Sequence, residues 1–319
     1  MDPTTVIVGT QLPSRELTLT GDHDLRRVLA LASQLEEIGT GSLWVGESVV
    51  ARPRPDALVV LAGVAASTSA VPLGTSVVLP ALRNPVAFAH QTATLDQLAG
   101  GRLTLGVGVG FPTPGTETEF AALGADHRRR SSGLDASIEA VRALWAGSAI
   151  AAPIDDPTGR FGFRDVAISP PPTRPSGPPM WLASGSPAGL ERCGRHYDGW
   201  LPYPPDPDDY RRGLEQVRRS AAAAGRDPAE IVAGLYVTVA VGADAGSRAD
   251  DYCHRYYGLG REHVGLVQAI VTGSAAQVAE RVATYVDAGA RHLVVRHATL
   301  DPSQLLDEAA ELRDALSPG

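Results

Sequence analysis

Strand-like and helix-like segments alternate from one end of the chain to the other, and few architectures accept that pattern. TTVIVGT reads as a first strand ending near Gln11. After Asp22 and Asp24, LRRVLALASQLEEIG has the apolar spacing of a helix and is stopped by Gly39. SLWVGES and PDALVVLAGVAAST form the next strand and helix. LGTSVVLP is a third strand, followed by a helix with Asn84 as its N-cap, Pro85 at its first position and Gly100 past its end. RLTLGVGVG is a fourth strand, and a loop then leads to the helix SSGLDASIEAVRALWAG. An irregular, proline-rich stretch runs from Ser148 to Pro179. MWLASGS with PAGLERCGRH and DGWLP with DPDDYRRGLEQVRRSAAAAG are the fifth and sixth pairs. IVAGLYVTVAVG is the seventh strand, and residues 243–272 form an insertion with a helical piece of its own before SAAQVAERVATYVDAG. RHLVVRH and PSQLLDEAAELRDAL close the series. Eight strands, each followed by a helix, predict one α/β domain over residues 1–319: a (β/α)8 TIM barrel with insertions after strands 4 and 7. The Val/Ile/Leu runs suit strands buried on both faces.

Composition narrows the chemistry. The chain is 44% apolar and 20% charged, as ordinary globular proteins are. No apolar run approaches the roughly eighteen residues of a membrane span, and MDPTTVIVGT lacks the features of a signal peptide. A net charge of −8 argues against nucleic acid as the main partner. All 28 basic residues are arginine, which excludes Schiff-base lysines and a P-loop lysine. An anionic cofactor would have to be held by arginine, hydroxyls or backbone N–H groups. Cys193 and Cys253 stand far apart with no C-x-x-C, which fits a reducing cytoplasm and no structural zinc.

The fourth strand continues as LTLGVGVGFPTPG, from Leu103 to Gly115. The spacing of Gly106, Gly108 and Gly110 is not that of a dinucleotide loop, and Phe-Pro-Thr-Pro-Gly cannot open a helix at once. The remaining readings are barrel-layer packing and glycines that admit a close neighbour. Gly110, at the strand end, is the better candidate for contact with a cofactor.

GSLWVGES…ARPRP, PLGTSVVLPALRNPVAFAHQTATLDQLAGGRLTLGVGVG and the tail VTGSAAQVAERVATYVDAGARHLVVR resemble bacterial luciferase-like flavin oxidoreductases, most of all their coenzyme F420-dependent branch. The resemblance covers nearly the whole chain and implies the same barrel. It implies a deazaflavin or flavin at the C-terminal mouth and a non-prolyl cis peptide in strand three, matching Ser76-Val77. It also implies a cofactor phosphate near the turn Ser184-Gly185-Ser186; without the resemblance, that turn reads equally as a plain N-cap. Arg128, Arg129 and Arg130 either reach an anionic tail or form a solvated face.

One departure stands out. Where the F420 sugar-phosphate dehydrogenase pattern ends strand two in Asp-His, the histidine being its proton acceptor, this chain has Glu47-Ser48. Glu47 is the candidate catalytic residue, as a general acid or a hydrogen-bond partner of the ring; its alternative role is to orient loop backbone. Arg296 and His297 end the last strand, His90 reads as helix packing, and Tyr256, Tyr257 and the prolines at 202–207 either line a pocket or pack. The expected activity is F420-dependent hydride transfer to an activated C=C or C=N bond of a small molecule. The alternatives are an FMN-dependent monooxygenase fed by a partner reductase and a non-catalytic flavin-binding barrel. A cytoplasmic homodimer is expected.

Overall fold

The computed structural model describes residues 5–147, 161–163 and 165–316. The expected stretch from Ser148 to Pro179 therefore lies partly outside the described residues. The strands are β1 Ile7–Gln11, β2 Leu43–Val45, β3 Leu73–Thr75, β4 Leu103–Gly108, β5 Met180–Ala183, β6 Gly199–Trp200, β7 Val232–Val241, β8 Ile270–Gly273 and β9 His292–His297. Their order in the sheet is β6-β5-β4-β3-β2-β1-β9-β7-β8, and a further β6–β7 pairing closes the ring. The result is a closed eight-stranded parallel barrel wrapped in helices, a TIM barrel; the expected eighth strand is β9.

β8 was not expected as a strand. Its partner β7 is ten residues long and uses both ends. Val232 and Ala233 pair with β6, while Thr238–Val241 pair with β8. Two helices absent from the sequence reading are Ser14–Thr20 and Pro114–Ala122. The second fills the loop expected after β4, because Thr113 caps it and Pro114 takes the first position, where a missing N–H costs nothing. The helix Pro85–Leu98 starts as read, with Asn84 accepting from the Val86 and Ala87 amides.

The chain separates into two compact units. The first comprises Met1–Trp44, Ala70–Pro72 and Trp181–Gly319; the second comprises Val45–Ser69 and Leu73–Met180. In the first unit the register pairs Ile7 with His292, Gly9 with Val294, and Thr238 with Arg296. Side chains alternate along a strand, so His292, Val294 and Arg296 share one face. Trp44 and Trp181 pack on His292, at centroid distances of 5.5 and 4.8 Å, and on each other at 5.2 Å. That aromatic layer fills the barrel near the N-terminal ends of its strands. Arg296 lies four residues further along β9, about 13 Å nearer the C-terminal end.

Candidate functional site

In the second unit, the fourth-strand glycines have a structural reason. The ladder between β3 and β4 starts at Leu73–Leu103, breaks after Gly74–Thr104, and resumes at Val78–Val107. At the break the Ser76–Val77 peptide is cis, as the resemblance implied. Thr75 Oγ1 donates to the Gly106 carbonyl at 2.7 Å, and the Val78 amide donates to the same oxygen at 3.0 Å. A Cβ on Gly106 would stand 2.0 Å from the Thr75 carbonyl oxygen. The close neighbour of this glycine is therefore the adjacent strand's backbone. Ser76 and Val77 themselves are half-buried in a run whose flanking residues are buried.

Glu47 is brought to the same place. Its amide donates to the Val77 carbonyl at 3.2 Å, and the Ser76 amide donates to the Val45 carbonyl at 2.9 Å. Its carboxylate is engaged on both oxygens. Oε2 accepts from the Leu79 amide at 2.7 Å, and Oε1 accepts from Arg83 Nε at 2.9 Å and from Arg83 Nη2. Arg83 also reaches Asp56 at 2.8 Å, the N-cap of the helix Ala57–Ser67. The Glu47 side chain is 3% exposed, so what solvent reaches at this residue is main chain. Burial raises its carboxyl pKa, working against Arg83 and the Leu79 amide.

Ser48, next to Glu47, is locked as well. It donates to Glu119 Oε1 at 3.0 Å and accepts from the Arg52 amide at 2.8 Å. Glu119 Oε1 also takes the amides of Val49 and Val50. Gly110 turns the chain with φ +79, and a Cβ there would meet Thr116 at 2.9 Å. In the arginine cluster, Asp126 caps Arg128 and faces Arg129 at 3.8 Å, while Arg130 donates to the His127 carbonyl at 3.1 Å. His90, expected to pack, is exposed. Its Nε2 donates to the Ser169 carbonyl at 3.1 Å beside a groove of about 880 Å³ shared with Asn84, Phe161 and Phe163.

In the first unit, Ser184, Gly185 and Ser186 lead into the helix Pro187–His196. Ser186 caps it, accepting from the Gly189 amide at 3.2 Å, and the Ser184 carbonyl accepts from Trp200 Nε1 at 2.8 Å. Gly185 and Ser186 are exposed, and nothing lies within 4 Å of a Cβ built on Gly185. The helix's first turn adds N–H groups with no acceptor inside the helix. An anionic group fits this cradle: hydroxyls, backbone donors and open space occur together.

The first unit also holds a polar cluster that spacing in the sequence did not flag. Arg296 Nη1 donates to Glu16 Oε1 at 2.8 Å and to Tyr252 Oη at 3.0 Å, and its Nε donates to Tyr236 Oη. Its guanidinium lies 4.3 Å from the Tyr256 ring centre. Against burial, the phenols and Glu16 keep Arg296 protonated. Tyr257 donates to Gln268 at 3.2 Å, and the Pro202 carbonyl accepts from the Tyr236 amide at 2.7 Å. His297 faces Glu308 at 3.2 Å. Burial pushes the thiols of Cys193 and Cys253 up to about 12 and about 11, so neither is a ready nucleophile.

The luciferase-like monooxygenase family model matches residues 6–292. The chain belongs to that family. It is 28% identical over 219 residues to the 5,10-methylenetetrahydromethanopterin reductase of Methanolobus tindarius, covering 69% of this chain and 63% of that one. It thus spans less than two thirds of that curated relative. It is also 28% identical over 317 residues to the F420-dependent glucose-6-phosphate dehydrogenase of Kineococcus radiotolerans, covering 90% of this chain and 92% of that one. Among solved structures, an F420-dependent secondary alcohol dehydrogenase holding an F420–acetone adduct superposes with a TM-score of 0.80 at 16% identity, over 98% of this chain and 100% of that one. At that identity the superposition speaks for the family's fold.

Proposed function

We propose that the chain is an F420-dependent oxidoreductase that reduces an activated C=C or C=N bond of a small organic molecule. The cofactor reading is supported by the nearly end-to-end match to an F420-dependent dehydrogenase. One observation carries the direction. Where the F420 sugar-phosphate dehydrogenase pattern would have Asp-His, Glu47 and Ser48 are both committed to internal bonds, to Arg83 and Leu79 and to Glu119 and Arg52. Alcohol oxidation needs a free base there; reduction does not.

One cofactor contact is proposed in each unit. In the first, the turn Ser184–Gly185–Ser186 holds a phosphate through hydroxyls and backbone N–H groups. In the second, Ser76, Val77 and Gly110 face the ring. Glu47 holds that segment in place through Leu79 and Arg83, rather than donating the proton itself. Reduced F420, when bound, would supply the hydride, and a proton from solvent would complete the reduction. The same proposal takes residues 1–319 as one domain, since neither unit alone contains the eight strands of the barrel. It takes the working form as a cytoplasmic homodimer served by a separate reductase. No helix among the described residues is long and apolar enough to cross a membrane.

A second reading, an FMN-dependent monooxygenase, is favoured by the family model's own description. Fluorescence titration of the cofactor-free protein with F420 and FMN separates the two. Tighter binding of F420 is expected. Binding of FMN alone, with O2 consumed in the presence of substrate, would put the monooxygenase in its place.

A further inference from the structure

Glu16 sits on the helix that follows β1, and Arg296 is the fifth residue of β9. Both are 3% exposed, and both stand toward the C-terminal strand ends, where barrels of this kind bind ligands. Glu16 uses its two oxygens unequally. Oε1 accepts from Arg296 Nη1 at 2.8 Å and from the Tyr252 hydroxyl at 2.6 Å. Oε2 is buried and has no hydrogen-bond partner. A carboxyl oxygen buried in that position calls for a hydrogen-bond partner. Arg296 is in the opposite condition: its charge faces Glu16, its Nη1 and Nε are engaged by Tyr252 and Tyr236, and its face lies on Tyr256.

We propose that Glu16 and Arg296 form the polar subsite for the substrate, and that they select an uncharged molecule that presents a hydroxyl or amide N–H to Glu16 Oε2. This rests on the reading of the barrel mouth as the site of a small organic substrate. Arg296 is already balanced by Glu16, and an anionic group would be repelled by the Glu16 carboxylate at Oε2, even though Arg15 also lies over the Tyr256 ring, 4.9 Å from its centre. Stacked tyrosines beside the pair (Tyr252 and Tyr256, 5.0 Å between centres) suit a ring or other apolar body carrying the donor.

The test uses three probes of one shape on the cofactor-free, full-length protein: phenol, anisole and benzoate. Calorimetry or ligand-observed NMR reads the affinities. Phenol, with its O–H donor, is expected to bind at least tenfold more tightly than anisole, which only accepts, or benzoate, which is charged. Glu16→Gln should remove the preference for phenol over anisole, since the oxygens of both accept. Arg296 holds the amide oxygen toward itself, so the amide N–H2 takes the place of Oε2 and offers a donor where an acceptor stood. A merely structural Glu16 would lower all three affinities together and leave the preference for phenol in place. If Glu16→Gln does not fold, the wild-type comparison alone decides. Equal binding of phenol and anisole, preference for benzoate, or no binding of any probe overturns the proposal; internal water then satisfies Oε2. The cofactor titration is independent. Phenol selectivity in a protein that takes only FMN leaves this subsite standing and overturns the F420 reading. F420 binding without phenol selectivity does the opposite.

Discussion

Each unit contains a glutamate–arginine pair with a buried carboxylate, and the two pairs are built differently. Glu47 and Arg83, in the second unit, are closed on all sides: the Leu79 amide takes one carboxylate oxygen, Arg83 takes the other, and Arg83 continues to Asp56. Glu16 and Arg296, in the first unit, crowd two donors onto one oxygen and leave the other open. A fully satisfied pair has nothing left to offer a ligand and is best understood as a brace. An unevenly satisfied pair keeps binding capacity at a cost in stability. The contrast also explains why Glu47, the obvious acid by position, is the poorer candidate for chemistry.

The units should differ most in their response to acid. In the first unit, Trp44 Nε1 donates to Ser42 Oγ at 2.8 Å, and Ser42 Oγ lies 2.8 Å from His292 Nε2. An indole N–H only donates, and the serine oxygen keeps a proton and a second lone pair, so it serves either tautomer of a neutral imidazole. Burial lowers the His292 pKa from 6.5 to about 3. The unfolded chain therefore takes up this proton first. The stability tied to it is complete above pH 6.5 and is lost as pH falls toward 3, by about 5 kcal/mol in all. Glu47 has the opposite sign: its folded pKa is raised above 4.5, so its contribution is complete below that value and is lost as pH rises through the folded pKa. Urea unfolding between pH 7 and 4 should show falling stability, and His292→Gln should flatten that fall. An unchanged slope in the variant would mean that other groups set the acid response.

Breaking the closed pair is the next largest effect. Arg83→Met leaves a buried Glu47 with the Leu79 amide alone, and should cost about 3–5 kcal/mol at neutral pH. The loss should shrink in acid, where Glu47 can be protonated. A loss below about 1 kcal/mol would show that the pair is not a brace.

The β3–β4 kink should respond more moderately. Gly106→Ala places a methyl 2.0 Å from the Thr75 carbonyl oxygen, in backbone that cannot turn aside. A cost of about 1–3 kcal/mol in urea unfolding is expected, with weaker cofactor binding at Ser76 and Val77 next to it. If both stay at wild-type values, the close approach does not constrain this strand.

The barrel was legible because its signal is repetitive and local: buried strands of Val, Ile and Leu, helices at their own period, and caps such as Asn84 and Ser186. What escaped was short or marked by residues that ordinarily break structure. Pro112 and Pro114 hid a helix, Pro13 hid another, and β8 is four residues inside an insertion. The cis peptide at Ser76-Val77 was legible through the resemblance, which also supplied the Ser184–Ser186 turn as a proposed phosphate contact. The bonds that assign roles were not. Arg83 lies 36 residues from Glu47, and Arg296 lies 280 residues from Glu16, and no local spacing signals either pair.

The smallest effect on stability should accompany a clear effect on binding. The turn Ser184–Ser186 differs from both glutamate–arginine pairs in being open: Gly185 is exposed, has no positive φ, and has nothing within 4 Å of a built Cβ. Gly185→Leu therefore has room for its side chain and should change folding stability by no more than about 0.5 kcal/mol. The same side chain would stand in the space proposed for the phosphate. It would screen the donors of the Pro187–His196 helix and the two serine hydroxyls. Cofactor affinity should fall about tenfold or more, roughly 1.4 kcal/mol, with phenol binding unaffected. Fluorescence titration beside urea unfolding reads both quantities on one preparation. A stable variant that binds F420 as the wild type does would remove the turn from the cofactor site. A variant that loses stability and affinity together would mean that the turn, like Glu47, serves the fold first.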